Sequence, residues 1–256
     1  MNERAPKISR PNQEREVSSM ELREKMHDPN FLPSHEEISR AFPYTKEGVD
    51  SWKEYCFDKE NPVFELLNKE FIKSFGDYLS ERVEALGGSE QNPVVILEVG
   101  AGNGRLTHFL RQYLDVKLSG KIKMIASDSG EWKLKSNFPV EAIGHEEALK
   151  QYNPQIVIFS WMPYQEDYTD DFRATESVEE YLLIGETDGG CCGHEWFTWG
   201  NDWSFDEAED QEKQPPYEAG GFERTYIKEV SENQICRTDD LDSPHHSRTI
   251  SFKRKR

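Results

Sequence analysis

The fold of this chain is decided by residues 94–114, VVILEVGAGNGRLTHFLRQYL. The first four residues form a β-branched, apolar run, which is typical of a strand buried on both faces. Gly100, Gly102 and Gly104 alternate with other residues directly after this strand. From Leu106 to Leu114, apolar residues recur with the period of one helix face. The stretch therefore predicts a strand, a glycine-rich turn and a helix, in that order.

The three glycines have a physical role at the end of the predicted strand. A tight turn between a strand and a helix needs backbone angles that only glycine adopts at low cost. The missing side chains also allow a ligand to lie against the backbone, close to the free N–H groups at the helix start. In an open α/β sheet, ligands bind at the carboxyl ends of the strands. The turn is therefore a candidate cofactor site, and a tight turn without a ligand is the alternative.

The sequence from Glu98 to Gly104, ExGxGxG, resembles motif I of class I S-adenosylmethionine-dependent methyltransferases. The dinucleotide fingerprint GxGxxG has a different glycine spacing, and the chain contains no GxxxxGK[ST] phosphate-binding motif. The resemblance implies that the cofactor is S-adenosylmethionine, with its amino-acid end and ribose received by Gly100, Gly102 and Gly104. It also implies that Glu98 holds the loop or reaches the methionine ammonium group through water.

Acidic residues follow the next two predicted strands. The stretch Lys121–Asp128 is typical of a second strand that ends in an acid. A carboxylate such as that of Asp128 can accept hydrogen bonds from both ribose hydroxyls of a nucleoside cofactor. Val140–Ile143 is a candidate third strand. The resemblance implies that an acid after this strand, Glu146 or Glu147, reaches the adenine amino group.

The clearest later strand is Gln155–Ser160, which continues into Trp161–Tyr164. In the resembled class, this strand end faces the transferable methyl group, and the amine-directed members carry an acid or amide followed by Pro-Pro-aromatic or a similar sequence. Here Ser160 stands at the position of the acid, and one extra residue precedes Pro163. The partial match makes Ser160 a candidate cofactor-site residue. It makes Tyr164 a candidate catalytic residue that shapes the substrate pocket.

An unusual passage, residues 189–199 with the sequence GGCCGHEWFTW, follows the predicted strand Glu180–Glu186. Because it comes after the carboxyl end of a strand, it is placed to lie over the active site. Its tryptophans, together with Trp203, predict a ring-lined pocket that could hold a cation, a ring or a peptide side chain. The alternative is ordinary packing of these rings.

The same passage offers candidates for proton transfer and for a metal. His194 or Glu195 could accept a proton from a substrate, and His194 is the candidate that we name as catalytic. A structural histidine is the alternative. Cys191 and Cys192 are adjacent and lack the spacing of a zinc-binding pair, and no second pair stands elsewhere in the chain. We therefore expect no metal.

The composition and charge of the chain limit the possible classes of protein and substrate. The chain has 256 residues, of which 35% are hydrophobic and 31% charged, and its formal net charge is −18. This negative charge favours a small-molecule or protein substrate and disfavours a nucleic acid, whose phosphates it would repel.

No apolar run approaches the roughly 20 residues that span a bilayer, and no apolar secretory signal is present. We expect a cytoplasmic protein with thiols at its four cysteines, without a membrane partner. The basic stretch Lys253–Arg256 leaves a nuclear location open.

The chain divides into three predicted regions. Residues 1–33 are polar and punctuated by prolines, which predicts a disordered or loosely attached arm. Residues 34–88 have helical character, and the resemblance implies that they form a lid. Residues 89–256 form the predicted main domain, with an acidic, mobile insertion near residues 206–221.

Two boundaries are predicted in more detail. Asn61-Pro62 is typical of a helix start and Gly87-Gly88 of a helix end, which together predict one long helix. Residues 233–237 and 248–253 are predicted to form a closing antiparallel pair, since apolar residues alternate with polar ones in the second of these segments.

Strands that alternate with helices predict an α/β fold with a doubly wound, mostly parallel sheet, covered by helices on both faces. The resemblance implies seven strands, the last of them antiparallel, and methyl transfer from S-adenosylmethionine to a small-molecule or protein acceptor. One alternative is an N6-adenine methyltransferase of RNA or DNA, since LEVGAGNGRLT also resembles the ribosomal-RNA dimethyladenosine enzymes. Another is a non-catalytic binding module with the same fold. The acceptor and the oligomeric state are not predicted.

Overall fold

The computed structural model of the chain describes residues 18–201, 214–239 and 246–256. Six strands form one sheet in these ranges. The strands are β1 (Val94–Val99), β2 (Ile122–Ser127), β3 (Ile156–Ser160), β4 (Glu180–Glu186), β5 (Phe222–Tyr226) and β6 (Ser247–Arg254). The helices are α1 (Ser19–Met26), α2 (His35–Ala41), α3 (Lys46–Cys56), α4 (Lys69–Ala85), α5 (Arg105–Leu118), α6 (His145–Tyr152), α7 (Thr169–Ala174), α8 (Glu195–Trp199), α9 (Pro216–Ala219) and α10 (Lys228–Ser231).

The sheet is mostly parallel, as predicted. The strand order is β2-β1-β3-β4-β6-β5. β1 pairs in parallel with both β2 and β3, and β3 pairs in parallel with β4. The last strand, β6, runs antiparallel to its two neighbours, β4 and β5. The carboxyl ends of β1, β2 and β3 therefore lie together at one edge of the sheet.

Helices cover both faces of the sheet, which confirms the doubly wound α/β class. Successive strand residues point to opposite faces, so that Ile96 and Ile158 lie in one core cluster and Leu97 and Phe159 in another. The first cluster is completed by residues of α4, α5 and α10. The second is completed by residues of α6, α7 and α8.

The predicted count of seven strands is wrong for the described residues, because the candidate third strand Val140–Ile143 is reduced to a single bridge. Glu141 pairs in parallel with Ser127, and its carbonyl accepts a hydrogen bond from the Asp128 N–H at 3.0 Å. Glu141 and Ala142 are exposed, so that this segment gains little from burial at the sheet edge. The hydrogen bond to Glu141 still positions Asp128, the residue that follows β2.

The long helix exists, but its predicted start at Asn61-Pro62 is wrong. α4 begins at Lys69, because the buried side chain of Asn68 caps it by accepting a hydrogen bond from the Phe71 N–H at 2.7 Å. Residues 63–67 instead run in an extended path. Their partner is the segment 235–237, which was predicted to pair with the last strand.

The extended segment and its partner are joined by a bridge between Glu65 and Cys236. The Leu66 N–H donates to the Ile235 carbonyl at 2.7 Å, and the Arg237 N–H donates to the Phe64 carbonyl at 3.0 Å. The predicted closing pair of residues 233–237 with 248–253 is therefore wrong, since β6 pairs with β4 and β5. This arrangement ties the region before the main domain to the end of the chain.

The predicted arm, residues 1–33, is ordered where the structure describes it. Residues 1–17 lie outside the described residues. α1 starts with a capping box between Ser18 and Glu21, and it buries Leu22 and Met26 in a third core cluster. Most of the predicted acidic insertion, residues 206–213, also lies outside the described residues, and its end forms α9. None of the described helices combines the length and the apolar character that crossing a membrane requires.

Candidate functional site

A cavity of about 540 Å³ lies at the carboxyl ends of β1, β2 and β3. This volume falls within the range of about 300–1,000 Å³ that is common for small-molecule sites. The lining residues come from the segments 60–67, 98–106, 128–135, 144–147 and 159–168. The extended segment before α4 thus forms one wall of the cavity, and the glycine turn forms another.

The glycine turn is held in conformations that suit glycine. Gly100 has φ +63°, and a methyl group on it would lie 2.6 Å from Phe159 Cζ. Gly102 has φ +53°, and the space beside its Cα is open apart from Leu134 Cδ1 at 3.4 Å. Both glycines line the cavity. Gly104, at φ +75°, is the N-cap of α5 and packs against Val140, so it shapes the turn from outside the lining.

Asp128 lies directly after β2 and is bound to the glycine turn. Its Oδ2 accepts a hydrogen bond from the Gly102 N–H at 2.9 Å, and its Oδ1 accepts one from the Gly130 N–H at 2.7 Å. Each carboxylate oxygen has two acceptor positions, so that one on each oxygen remains for a ligand. The structure therefore places this carboxylate in the cavity with its orientation fixed.

Glu98 lies at the carboxyl end of β1, lines the cavity and is only 2% exposed. Its Oε2 accepts a hydrogen bond from the Thr107 N–H at 3.0 Å and a second from the Thr107 hydroxyl. Burial raises the pKa of Glu98 to about 7, although both hydrogen bonds favour the charged form. In this structure the side chain joins β1 to the start of α5 and so supports the turn between them.

Glu146 and Ser160 also line the cavity. Glu146 is exposed on the first turn of α6, and its carboxylate lies 3.7 Å from the Lys150 ammonium group. Beside it, His145 Nε2 lies 2.7 Å from Asp171 Oδ2. His145, Glu146 and Asp171 form the one group of three potential metal ligands within the described part of the chain. Cys191, Cys192 and His194 do not form such a group there.

The two residues named as catalytic candidates do not lie among the described lining residues. His194 caps α8: its Nδ1 accepts hydrogen bonds from the Trp196 N–H at 3.2 Å and the Phe197 N–H at 3.3 Å. The Nδ1 atom of His194 is therefore already used as a hydrogen-bond acceptor for the backbone of α8. The side chain of Tyr164 is directed into solvent, with the residue 63% exposed. Tyr164 directly follows the lining residue Pro163, but neither Tyr164 nor His194 contributes to the described lining.

The aromatic passage of residues 189–199 folds onto itself and lies outside the cavity lining, as far as the structure describes it. Trp199 is buried, and its indole N–H donates to the Cys192 carbonyl at 2.7 Å. Trp203 lies outside the described residues. The prediction that this passage forms a ring-lined pocket is therefore wrong for its described residues, and the aromatic side chains that line the cavity come from other segments.

Phe64, Trp132 and Trp161 line the cavity with their rings close to one another. The ring centroids of Phe64 and Trp161 are 5.6 Å apart, and those of Phe64 and Trp132 are 5.9 Å apart. Trp161 has φ +60°, which is rare for a bulky residue and marks a strained backbone directly after β3. This conformation turns the chain sharply at the strand end that faces the cavity.

Glu65 is a polar side chain beside these rings, and no sequence motif predicts it as a site residue. Its Oε2 accepts a hydrogen bond from the Trp161 indole N–H at 3.0 Å, and its Oε1 accepts one from the Ser247 hydroxyl at 3.1 Å. Burial raises the pKa of Glu65 to about 8. The helix predicted from Asn61-Pro62 would include Glu65 in its first turns. The neighbours of Glu65 in the structure, Trp161 and Ser247, are far away along the chain.

The cavity lining is strongly acidic. Two lining residues carry a permanent positive charge, Arg105 and Lys135. Seven lining residues are acids: Glu60, Glu65, Glu98, Asp128, Glu131, Glu146 and Glu147. Such a lining attracts cations and repels phosphate groups.

Comparison with solved structures gives relatives in fold. The citrinin polyketide synthase CMeT domain matches with 15% identity and a TM-score of 0.43, over 85% of this chain and 59% of that one. The DszA carbon methyltransferase matches with 15% identity and a TM-score of 0.44, over 86% of this chain and 61% of that one. An S-adenosylmethionine-dependent O-methyltransferase from Thermotoga maritima matches with 13% identity and a TM-score of 0.36, over 70% and 65%.

The three matched structures are methyltransferases, and they match this chain at identities of 15% or less and TM-scores below 0.5. The chain spans less than two thirds of the length of each of the three structures named above. No protein-family model and no curated protein matches the chain.

Proposed function

We propose that this protein is an S-adenosylmethionine-dependent methyltransferase. The observation that carries the proposal is the hydrogen bond between the Gly102 N–H and the Asp128 carboxylate, which joins the glycine turn after β1 to the acid after β2. This contact places bare backbone and a fixed carboxylate side by side at the sheet edge, where ligands bind in open α/β folds. A sulfonium nucleoside with an amino-acid tail matches both groups.

The residues present fit this cofactor. Asp128 keeps one acceptor position on each carboxylate oxygen, which suits the two neighbouring hydroxyls of a ribose. The open space beside Gly102 allows close approach to the backbone. The acidic lining suits a molecule that carries a sulfonium and an ammonium group. In this proposal Gly100, Gly102 and Asp128 hold the cofactor, Gly104 and Glu98 support the turn, and Glu146 and Ser160 complete the lining.

When bound, S-adenosylmethionine supplies an activated methyl group. The chain's own residues then need mainly to align an acceptor atom and to exclude water from it. The cavity walls from residues 60–67 and 159–163 are placed for both tasks. An N6-adenine methyltransferase of nucleic acid is disfavoured, because the five lining acids other than Glu65 and Glu98 outnumber the two permanent cations of the lining.

Binding of the cofactor product tests the proposal. Isothermal titration with S-adenosylhomocysteine is expected to show binding to the unchanged protein. Asp128→Ala removes a fixed carboxylate with its ribose contacts and its bond to Gly102, so we expect the affinity to fall by roughly tenfold to a hundredfold.

The matched control is Asp50→Ala, which removes an exposed carboxylate from α3, outside the described cavity lining. This variant is expected to bind S-adenosylhomocysteine as the unchanged protein does. If the unchanged protein shows no binding, or if Asp128→Ala binds equally well, the proposal fails. A protein that binds the product but transfers no methyl group to any fraction of a cell extract would be a non-catalytic module.

A further inference from the structure

Among the described residues, donors occupy three of the four acceptor positions of the Glu65 carboxylate and leave one without a donor. A carboxylate offers about four acceptor positions. Three are used, by the Trp161 indole N–H at 3.0 Å, the Ser247 hydroxyl at 3.1 Å and the Gln234 amide at 3.4 Å. Glu65 lines the cavity and keeps part of its surface accessible. The remaining position is therefore available to a donor that enters the cavity.

The rings beside Glu65 make this corner of the cavity suitable for a cation. Phe64 and Trp161 line the same wall, with centroids 5.6 Å apart, and Trp132 stands 5.9 Å from Phe64. Aromatic faces attract cations, and an adjoining carboxylate adds charge and a hydrogen-bond acceptor. Together these groups form an aromatic and acidic corner, defined here as Phe64, Glu65, Trp132 and Trp161.

One permanent cation, Arg237, already lies against two rings of this corner. The Arg237 guanidinium lies 4.1 Å from the centroid of Phe64 and 5.6 Å from that of Trp161, and Arg237 is not among the described lining residues. Asp239 repels a negative charge on Glu65, and the Cys236 thiol lies on the segment paired with it. Burial and this repulsion together raise the pKa of Glu65 to about 8.

We propose that the aromatic and acidic corner binds a cationic amine, and that the methyl acceptor of this protein is therefore an amine. This inference rests on the proposed function and adds the class of the acceptor. An ammonium N–H would donate to the free position of the Glu65 carboxylate, while the alkyl groups of the amine contact the rings. Transfer of that proton to Glu65 would leave a neutral nitrogen with the lone pair that methyl transfer requires. The five lining acids other than Glu65 and Glu98 repel a carboxylate or phosphate in the same place.

A cation that does not titrate tests this inference without knowledge of the acceptor. Choline binding is measured by isothermal titration in the presence of saturating S-adenosylhomocysteine, which occupies the cofactor site. The neutral isostere 3,3-dimethyl-1-butanol serves as the matched probe. We expect choline to bind at least tenfold more tightly than the alcohol at pH 8.5.

The pH dependence of choline binding reports the titration of a lining carboxylate, and the Glu65→Gln variant separates Glu65 from Glu98, whose pKa is also raised. Below its pKa of about 8, Glu65 is neutral and must lose a proton when the cation binds. The affinity for choline is therefore expected to rise roughly tenfold per pH unit between pH 6 and pH 7.5, and to level off above about pH 8.

Variants separate Glu65 from the other acids. Glu65→Gln is expected to lower the affinity at pH 8.5 at least tenfold and to remove its pH dependence, whereas Glu131→Gln, an exposed acid of the same lining, is expected to keep that dependence. Phe64→Leu is expected to weaken binding severalfold at every pH. Equal affinity for choline and the alcohol, or an unchanged pH dependence in Glu65→Gln, overturns the amine inference. Failure of S-adenosylhomocysteine itself to bind overturns the proposed function instead.

Discussion

Glu98 shows how one buried carboxyl group supports the turn between β1 and α5. It is only 2% exposed, and its Oε2 accepts two hydrogen bonds from Thr107. The hydrogen bonds do not fully compensate for the loss of water, so the pKa of Glu98 is raised from its ordinary value of 4.5 to about 7. At neutral pH the protein therefore holds this group close to the midpoint of its titration.

The raised pKa of Glu98 determines the direction in which the stability of the protein changes with pH. Between pH 4.5 and pH 7, the folded protein binds a proton at Glu98 that the unfolded chain has lost, so the contribution of Glu98 to stability falls as pH rises. The largest slope is about 1.4 kcal/mol per pH unit. We predict that Glu98→Gln loses less stability than the unchanged protein when pH is raised from 5 to 7.5, as measured by urea unfolding.

The control for this measurement is Glu84→Gln, at an exposed position of α4. Its unfolding free energy is expected to follow that of the unchanged protein at every pH. Curves for Glu98→Gln and the unchanged protein that run parallel from pH 5 to pH 7.5 would contradict the assignment of a raised pKa to Glu98.

At the scale of elements, α4 is attached to the sheet by a buried charge. Glu180 on β4 is fully buried, and its carboxylate accepts from the Arg82 guanidinium at 2.5 Å and from the Tyr78 hydroxyl, both on α4. The Ser251 hydroxyl on β6 donates to the same carboxylate at 2.5 Å. One helix and two neighbouring strands therefore share this single acid.

Removal of the Arg82 side chain should leave the buried negative charge of Glu180 without a compensating positive charge. We predict that Arg82→Ala lowers the free energy of unfolding by about 3 kcal/mol or more, because the Glu180 carboxylate stays buried. Lys73→Ala breaks an exposed pair with Asp77 on the same helix and is expected to cost under about 1 kcal/mol. Guanidinium unfolding of both variants measures the difference. Equal losses in the two variants would mean that the buried pair does not anchor α4.

At the scale of the whole molecule, the region before the main domain is joined to the end of the chain. α1, α2 and α3 form their own core cluster, which includes Leu22, Met26 and Tyr55. The Trp52 indole N–H donates to the Arg237 carbonyl at 3.2 Å, and Glu65 bridges to Cys236. The wall of the cavity that carries Phe64 and Glu65 thus depends on both ends of the chain.

This joining predicts that the described molecule unfolds as one unit. Met26→Ala is expected to cost about 2–5 kcal/mol, because Met26 is 2% exposed and its loss leaves a cavity. Circular dichroism and tryptophan fluorescence should report the same midpoint of denaturant unfolding, in the variant as in the unchanged protein. Met20→Ala, at a position on α1 that is 63% exposed, is the control and should change the midpoint little. Two separate transitions would show that the N-terminal helices fold independently.

The sequence alone determined the central unit of the fold and one half of the site. The strand, the glycine turn and the helix of residues 94–118 follow from local periodicity, and so do β2, β3 and β4. Gly100, Gly102 and Asp128 were predictable because parallel strands bring their carboxyl ends to one edge, whatever the side-chain packing. Local pattern also placed Glu98 at the end of β1.

Only the tertiary structure decided the other half of the site. Glu65 lies 96 residues from Trp161 and 182 from Ser247 along the chain, and no local pattern reports that these side chains meet. The use of His194 as a helix cap depends in the same way on where α8 begins. The start of α4 depended on the burial of Asn68. Periodicity reports the contacts that a segment makes along itself, whereas this cavity is formed by contacts between segments that the chain brings together when it folds.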